Sequence, residues 1–562
     1  MTVAAEGGRA WSGRRQWNVW VVLPVLAASL VAVPVLVVLA NVLTPAGEVW
    51  RHLVDTVLWR YIENTLWLTL GVGLGTVVLG SGTAWLCSMC RFPGRGLFEW
   101  ALLLPLAVPT YAIGFTYAGL FEYAGPVQTG LRDAFDWARG DYWFPDVRSL
   151  GGAILVMTLV LYPYVYLFAR AAFLNQSVCA LEIGRTLGRG PWRSFTDIAL
   201  PLARPALVGG MALALMEALS DFGTVHYFGV DTFTTGIYRT WFSLGDAAAA
   251  AQLAAVLLIF VAVLLIGEQW SRRKARFFHT TGVYRPLPSY RLSGWRAAGA
   301  FAACFAVFGL GFLLPAIQLA VWTVETGSET LNLAFAGLAW NSFRLAAITA
   351  VLAVAVALLV AYAVRLGAGP IGAMAKRFAG LGYAVPGSVI AVGVLVPFAW
   401  IDTTVDTFAR DTFGVSTGLI LTGSLVALIF AYLVRFFAVS LNAVDAALAK
   451  VTPNMDGAAR TLGLGPARVL WRVHVPIIRA GLLTAALLAF VDVMKELPAT
   501  LIMRPFNFNT LAVRAYELAS DEQLAESASA ALAIVAVGIL PVIVMSRAIT
   551  HARPGAPPPP AP

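Results

Sequence analysis

Four carboxylates stand where an apolar chain has least reason to place them. Glu217 and Asp221 lie four residues apart in one long apolar run, and Asp492 and Glu496 lie four apart in another, 275 residues later. Ionisable groups inside a bilayer are costly and tend to mark pathways and partners. The four-residue spacing predicts that each pair shares one face of a helix. Carboxylate oxygens suit a cationic substrate and, among metals, a hard ion. Lys495 occupies the place of Ser220 and can neutralise a carboxylate. His226 and Tyr227 follow the first pair, whereas Leu501 and Ile502 hold those places in the second. Glu217, Asp221, His226, Tyr227, Asp492, Lys495 and Glu496 are therefore the candidates for a translocation path. An alternative stays open: the acids pair with lysine, backbone or loop groups and brace the helix ends.

The elements that must carry these acids are membrane spans. The chain of 562 residues is 59% hydrophobic and 12% charged, about half the charge of a soluble domain. Twelve apolar runs reach the ~20 residues that cross a bilayer, from 17–43 to 526–547, with the fifth at 205–226 and the eleventh at 480–502. The expected class is an all-α polytopic membrane protein of about twelve helices. With the N-terminus inside, 28 of the 39 Lys and Arg fall on inner segments and 11 on outer ones, which places both termini in the cytoplasm. The net charge of +9 follows from this bias and not from nucleic-acid binding, since no basic patch with interleaved aromatics lies outside the spans. Arg9, Arg14 and Arg15 precede a long apolar run with no small-residue cleavage site after it, which reads as a retained first helix. Cys87, Cys90, Cys179 and Cys304 read as packing residues; Cys87 and Cys90 have metal spacing but no second ligand pair.

The chain repeats itself. Arg185-Thr-Leu-Gly188 recurs as Arg460-Thr-Leu-Gly463, each followed after one residue by Gly-Pro and then by a proline expected to open a span, Pro201 or Pro476. Asn64 matches Asn341 and Pro109 matches Pro386. Two parallel six-span repeats are expected at 17–268 and 295–548, related by an axis along the membrane normal. A cytoplasmic N-terminus (1–16), a basic linker (269–294) and a Pro/Ala-rich tail (549–562) complete the layout. The loops at 177–204 and 442–479 are the longest polar stretches within each half. In the first, a short helix at 180–187 should end at Gly188, and an amphipathic stretch at 192–200 should lead to Pro201 at the first turn of the next span.

These loops resemble the Glu-Ala-Ala loop of binding-protein-dependent ATP-binding-cassette importer permeases. Glu182, Gly188, Ile198, Leu200 and Pro201 stand at the spacings of that pattern. The second copy, Gly457-Ala458-Ala459 with Gly463 and Pro476, lacks the glutamate, and Asp456 stands one position early. The resemblance implies the type I, MetI-like importer fold, with Glu182, Arg185, Leu187, Gly188, Pro201, Gly457, Ala458, Ala459, Arg460, Leu462, Gly463 and Pro476 docking two copies of an ATPase subunit. It also implies a periplasmic solute-binding protein and residence in the bacterial inner membrane. No Gly-Lys-Ser/Thr occurs, so ATP and magnesium would belong to the partner, with no cofactor and no catalytic residue in this chain. The stretches 221–239, 495–513 and 122–132 are similar to ferric-iron importer permeases, which implies transient Fe3+ contact at Glu217, Asp221, Asp492 and Glu496. Fused thiamine and phosphonate permeases share the architecture. A secondary transporter with a six-plus-six repeat fits the acids but needs no docking loops.

Overall fold

The computed structural model describes residues 19–45, 47–138, 140–174, 186, 190–272 and 290–550. Eleven helices there are long and apolar enough to cross a membrane, or twelve if one bent pair counts as a single span. A lipid core offers the backbone no hydrogen-bond partner, so apolar runs of this length close their own ladders as helices. The first half contains spans one (Trp20–Leu43), two (Leu58–Met89), four (Leu150–Leu174), five (Trp192–Ser220) and six (Ala247–Ser271). Span three is the bent pair, Arg95–Ala107 and Thr110–Phe135, which meet at 94°. The second half contains spans seven (Trp295–Thr330), eight (Leu333–Arg365), nine (Gly387–Phe413), ten (Leu425–Leu448), eleven (Pro466–Met494) and twelve (Leu524–Ile543).

Spans five and eleven start earlier than their hydropathy suggests. The stretch Trp192–Leu200 is not a separate amphipathic helix, and Pro201 does not open the span; helix runs through both. Proline lacks an N–H and crowds the carbonyl four residues back. The chain relieves this with one wide turn before each proline. Leu200 N–H bonds to Phe195 O, Val475 to Leu470 and Leu314 to Gly309, each five residues back. Pro201, Pro476 and Pro315 follow immediately. These π-turns carry the helices past their prolines instead of ending them.

The sequence repeats are not independent packing units. Span one lies mainly on spans eight and nine and the helix Gly369–Ala379 of the other half, and touches span six of its own. Gly393 makes the close crossing possible: a Cβ there would sit 2.3 Å from Pro34 O. Span seven crosses the other way, and Gly311 lies so near span four that a Cβ would be 2.8 Å from Leu159 O. A short parallel bridge between Cys90–Arg91 and Tyr290–Arg291 also joins the halves. Cys87, Cys90 and Cys304 are buried free thiols.

Candidate translocation site and docking helix

The helix of span five ends at Ser220, and Asp221 has extended backbone (ψ 136°). Span eleven ends at Met494, before Glu496. The paired acids therefore do not share a helix face, because the helix stops between them. The outer acid of each pair caps the short helix that follows. Asp221 accepts from Thr224 N at 2.9 Å, Val225 N at 3.2 Å and Thr224 Oγ1 at 3.0 Å, ahead of Gly223–Tyr227. Glu496 accepts from Ala499 N at 3.1 Å, Thr500 N at 3.2 Å and Thr500 Oγ1 at 2.9 Å, ahead of Pro498–Met503. Each carboxylate satisfies helix N–H groups that would otherwise be buried bare.

The two caps are completed differently. Thr110 donates its hydroxyl to Asp221 at 2.5 Å. The matching position in the second half is Gly387, and there Arg435 of span ten reaches in instead, with Nη1 3.2 Å from Glu496. Gly387 is what makes room, since a Cβ would stand 2.3 Å from Arg435 Nη1 and 2.6 Å from Glu496 Oε1.

The inner acids, Glu217 and Asp492, face a cavity of about 70 Å³ where both halves meet. Tyr383 donates its hydroxyl to Glu217 across the halves, and Arg435 Nη2 lies 4.0 Å from the same carboxylate. Lys495 pairs with Asp492 at 2.9 Å, as its position beside that acid suggested. Ser220 accepts from Gly387 N at 3.3 Å, another link between halves. The four acids thus divide among different partners, and among the described residues no three His, Cys, Asp or Glu side chains converge as a metal-holding group. Two partners of Glu217 gave the sequence reading less to work with. Arg435 had a visible signal, a lone cation inside the apolar run 417–441. Tyr383 had none, because a tyrosine near a span end is ordinary.

Of the candidate docking residues, Glu182, Arg185, Leu187 and Gly188 lie outside the described residues, and Pro201 sits within the helix of span five. The second loop forms the helix Pro453–Thr461. It ends in a Schellman motif: Gly463 N–H bonds to Arg460 O, Leu464 N–H to Ala459 O, and Gly463 adopts φ +75°. Gly457, Ala458 and Arg460 are exposed, Ala459 faces inward, and Leu462 is 80% exposed at the helix end. Pro476 lies inside span eleven. Asp456 does not project outward: it bonds Arg365 Nε at 2.9 Å and His474 Nε2 at 2.5 Å, pinning the helix to spans eight and eleven. Burial works to raise the Asp456 carboxyl, yet the bonds from His474 and Arg365 outweigh it and hold it below the usual range. Gly463→Asp should strain the left-handed cap by about 1–2 kcal/mol and tilt Leu462 away. Loss of ATPase co-purification is expected while the isolated protein stays monodisperse in detergent; normal co-purification would remove Gly463 from the docking role.

Residues 18–276 match the family described as "Binding-protein-dependent transport system inner membrane component". The chain is 28% identical to the Fe(3+)-transport system permease protein FbpB 2 of Haemophilus influenzae over 86% of its own length and 89% of the relative's. It is 27% identical to the Molybdenum transport system permease protein ModB of Escherichia coli, covering 95% of that protein with 39% of its own length. It is 30% identical to the Sulfate transport system permease protein CysT of Escherichia coli, covering 83% of that protein with 40% of its own. The chain belongs to the binding-protein-dependent transport permeases. It is the membrane subunit of an importer that works with an ATPase and a periplasmic binding protein, and it sits in the inner membrane as a multi-pass protein. Relatives matched nearly whole by two-fifths of the chain fit a permease of two fused halves.

At the span ends opposite the candidate docking loops, the two halves touch through side chains. His226 Nδ1 lies 2.8 Å from Tyr516 OH, and Phe222 packs against both rings. Above this layer, Arg148 forms a two-pronged bond to Glu522 at 2.8 Å, pairs with Glu122, and stacks on Tyr227, 4.5 Å from its ring centre. The bonds from Arg148 hold Glu522 below the ordinary glutamate range, so this latch is charged at neutral pH. His226 and Tyr227 thus take part in this layer of contacts and do not line the cavity of Glu217 and Asp492.

Proposed function

We propose that the permease carries ferric iron, received from a periplasmic binding protein and driven by two copies of an ATPase, one on each docking loop. The observation that carries the iron reading is the relative whose printed function is Fe(3+) transport and which aligns across both fused halves. The cavity supports it, with four carboxylates against two cations and hence a net attraction for positive charge. Glu217 and Asp492 are the acids left for cargo, since Asp221 and Glu496 serve as caps. The charge bias of the loops supports cytoplasmic termini, and the repeated docking sequence supports two ATPase copies.

Reconstitution with its ATPase and binding protein tests this. ATP-dependent accumulation of radioactive ferric iron is expected, unaffected by excess sulfate, molybdate, thiamine or aminoethylphosphonate. Accumulation of one of those solutes without iron would overturn the reading.

A further inference from the structure

We propose that Arg435 is the internal counter-cation of the empty cavity: its guanidinium fills the acidic position that the cargo's positive charge takes during transport. This rests on the reading that the cargo is cationic.

Helix capping alone does not call for a cation here. In the first half the matching cap, Asp221, is completed by the neutral hydroxyl of Thr110. The second half replaces that hydroxyl with a glycine and a buried arginine that is 6% exposed. Arg435 also reaches past its cap. Nη1 holds Glu496 in its own half, while Nη2 faces Glu217 of the other half at 4.0 Å. It therefore stands between one acid that is committed and one that is available.

Arg435 is also less fully bonded than Arg365. Arg365 at the docking helix uses all three nitrogens, on Asp456, Leu448 O and Val451 O. Arg435 Nε has no hydrogen-bond partner among the described residues. A buried donor left unpaired costs stability, and a contact at 4.0 Å is held loosely. An ion in this position neutralises Glu217 while the cavity is empty and can be released. Without it Glu217 would have only the Tyr383 hydroxyl and the ammonium of Lys495, which Asp492 already holds at 2.9 Å, in surroundings where an uncompensated charge is expensive. A cation arriving at Glu217 makes the guanidinium redundant, and repulsion between the two positive charges favours its withdrawal.

Gallium(III) citrate, a hard and redox-inert trivalent probe, tests this by equilibrium dialysis against the detergent-solubilised permease. Arg435→Gln should bind gallium about tenfold more tightly than the wild type. Arg435→Lys should bind like the wild type, and Glu217→Gln added to Arg435→Gln should abolish the gain. If Arg435→Gln does not fold, the double variant Arg435→Gln/Glu496→Gln removes the pair together and should show the same gain. A folded variant of either kind with no gain overturns the proposal. Iron uptake by the wild type without any gain in the variants sinks the counter-cation role alone. A gain without iron uptake supports that role and sinks only the choice of iron as cargo.

Discussion

Glu496→Ala is expected to lower the melting midpoint of the solubilised permease sharply and to abolish uptake, whereas Asp221→Ala should be milder. The two acids hold matching positions in the repeat and cap matching helices. Their remaining partners differ. Removing Asp221 frees neutral donors, namely Thr110 and the start of a short helix. Loss of such a cap costs about 0.5–2 kcal/mol. Removing Glu496 frees the same kind of helix start and also strands a buried guanidinium, left with Glu217 at 4.0 Å. Breaking a buried ion pair by deleting one partner costs about 3–5 kcal/mol. Thermal unfolding followed by intrinsic fluorescence reads the difference, and equal shifts for the two variants would show that Arg435 does not depend on Glu496.

The second large effect is expected at Gly393, where Gly393→Val should prevent span one from seating and leave little monodisperse protein in detergent. The obstacle is backbone: the new Cβ would stand 2.3 Å from Pro34 O and 2.9 Å from Pro34 Cα, atoms that cannot rotate aside. The branched side chain would push span one off the face on which it packs. Gly457→Ala is the control. Nothing lies within 4 Å of its Cβ position, it is within a helix, and alanine there favours the helix by up to about 1 kcal/mol. Normal size-exclusion behaviour of Gly393→Val would mean that the crossing tolerates separation.

The spans and the repeat were legible because hydropathy and motif spacing are local properties. Glu217 and Asp492 stood out as acids in apolar runs. The breaks after Ser220 and Met494 did not, because the chain stays apolar as it turns from one helix into the next, so an i,i+4 pair looked continuous. The prolines misled in the opposite direction. Pro201 and Pro476 read as helix openings, yet a single wide turn before each lets the helix pass. Tyr383 and Arg435 reach Glu217 from the other half, and contacts between halves have no signature at any fixed spacing. The crossed first spans were hidden for the same reason.

That crossing sets an order on synthesis. A chain inserted from its N-terminus places Pro34 in the bilayer long before Gly393 has been translated, so span one must wait with only span six among its final neighbours beside it. Span seven meets no such delay, because Leu159 is already in place when Gly311 emerges. The second half thus completes the first, and neither is finished until the ribosome has made both.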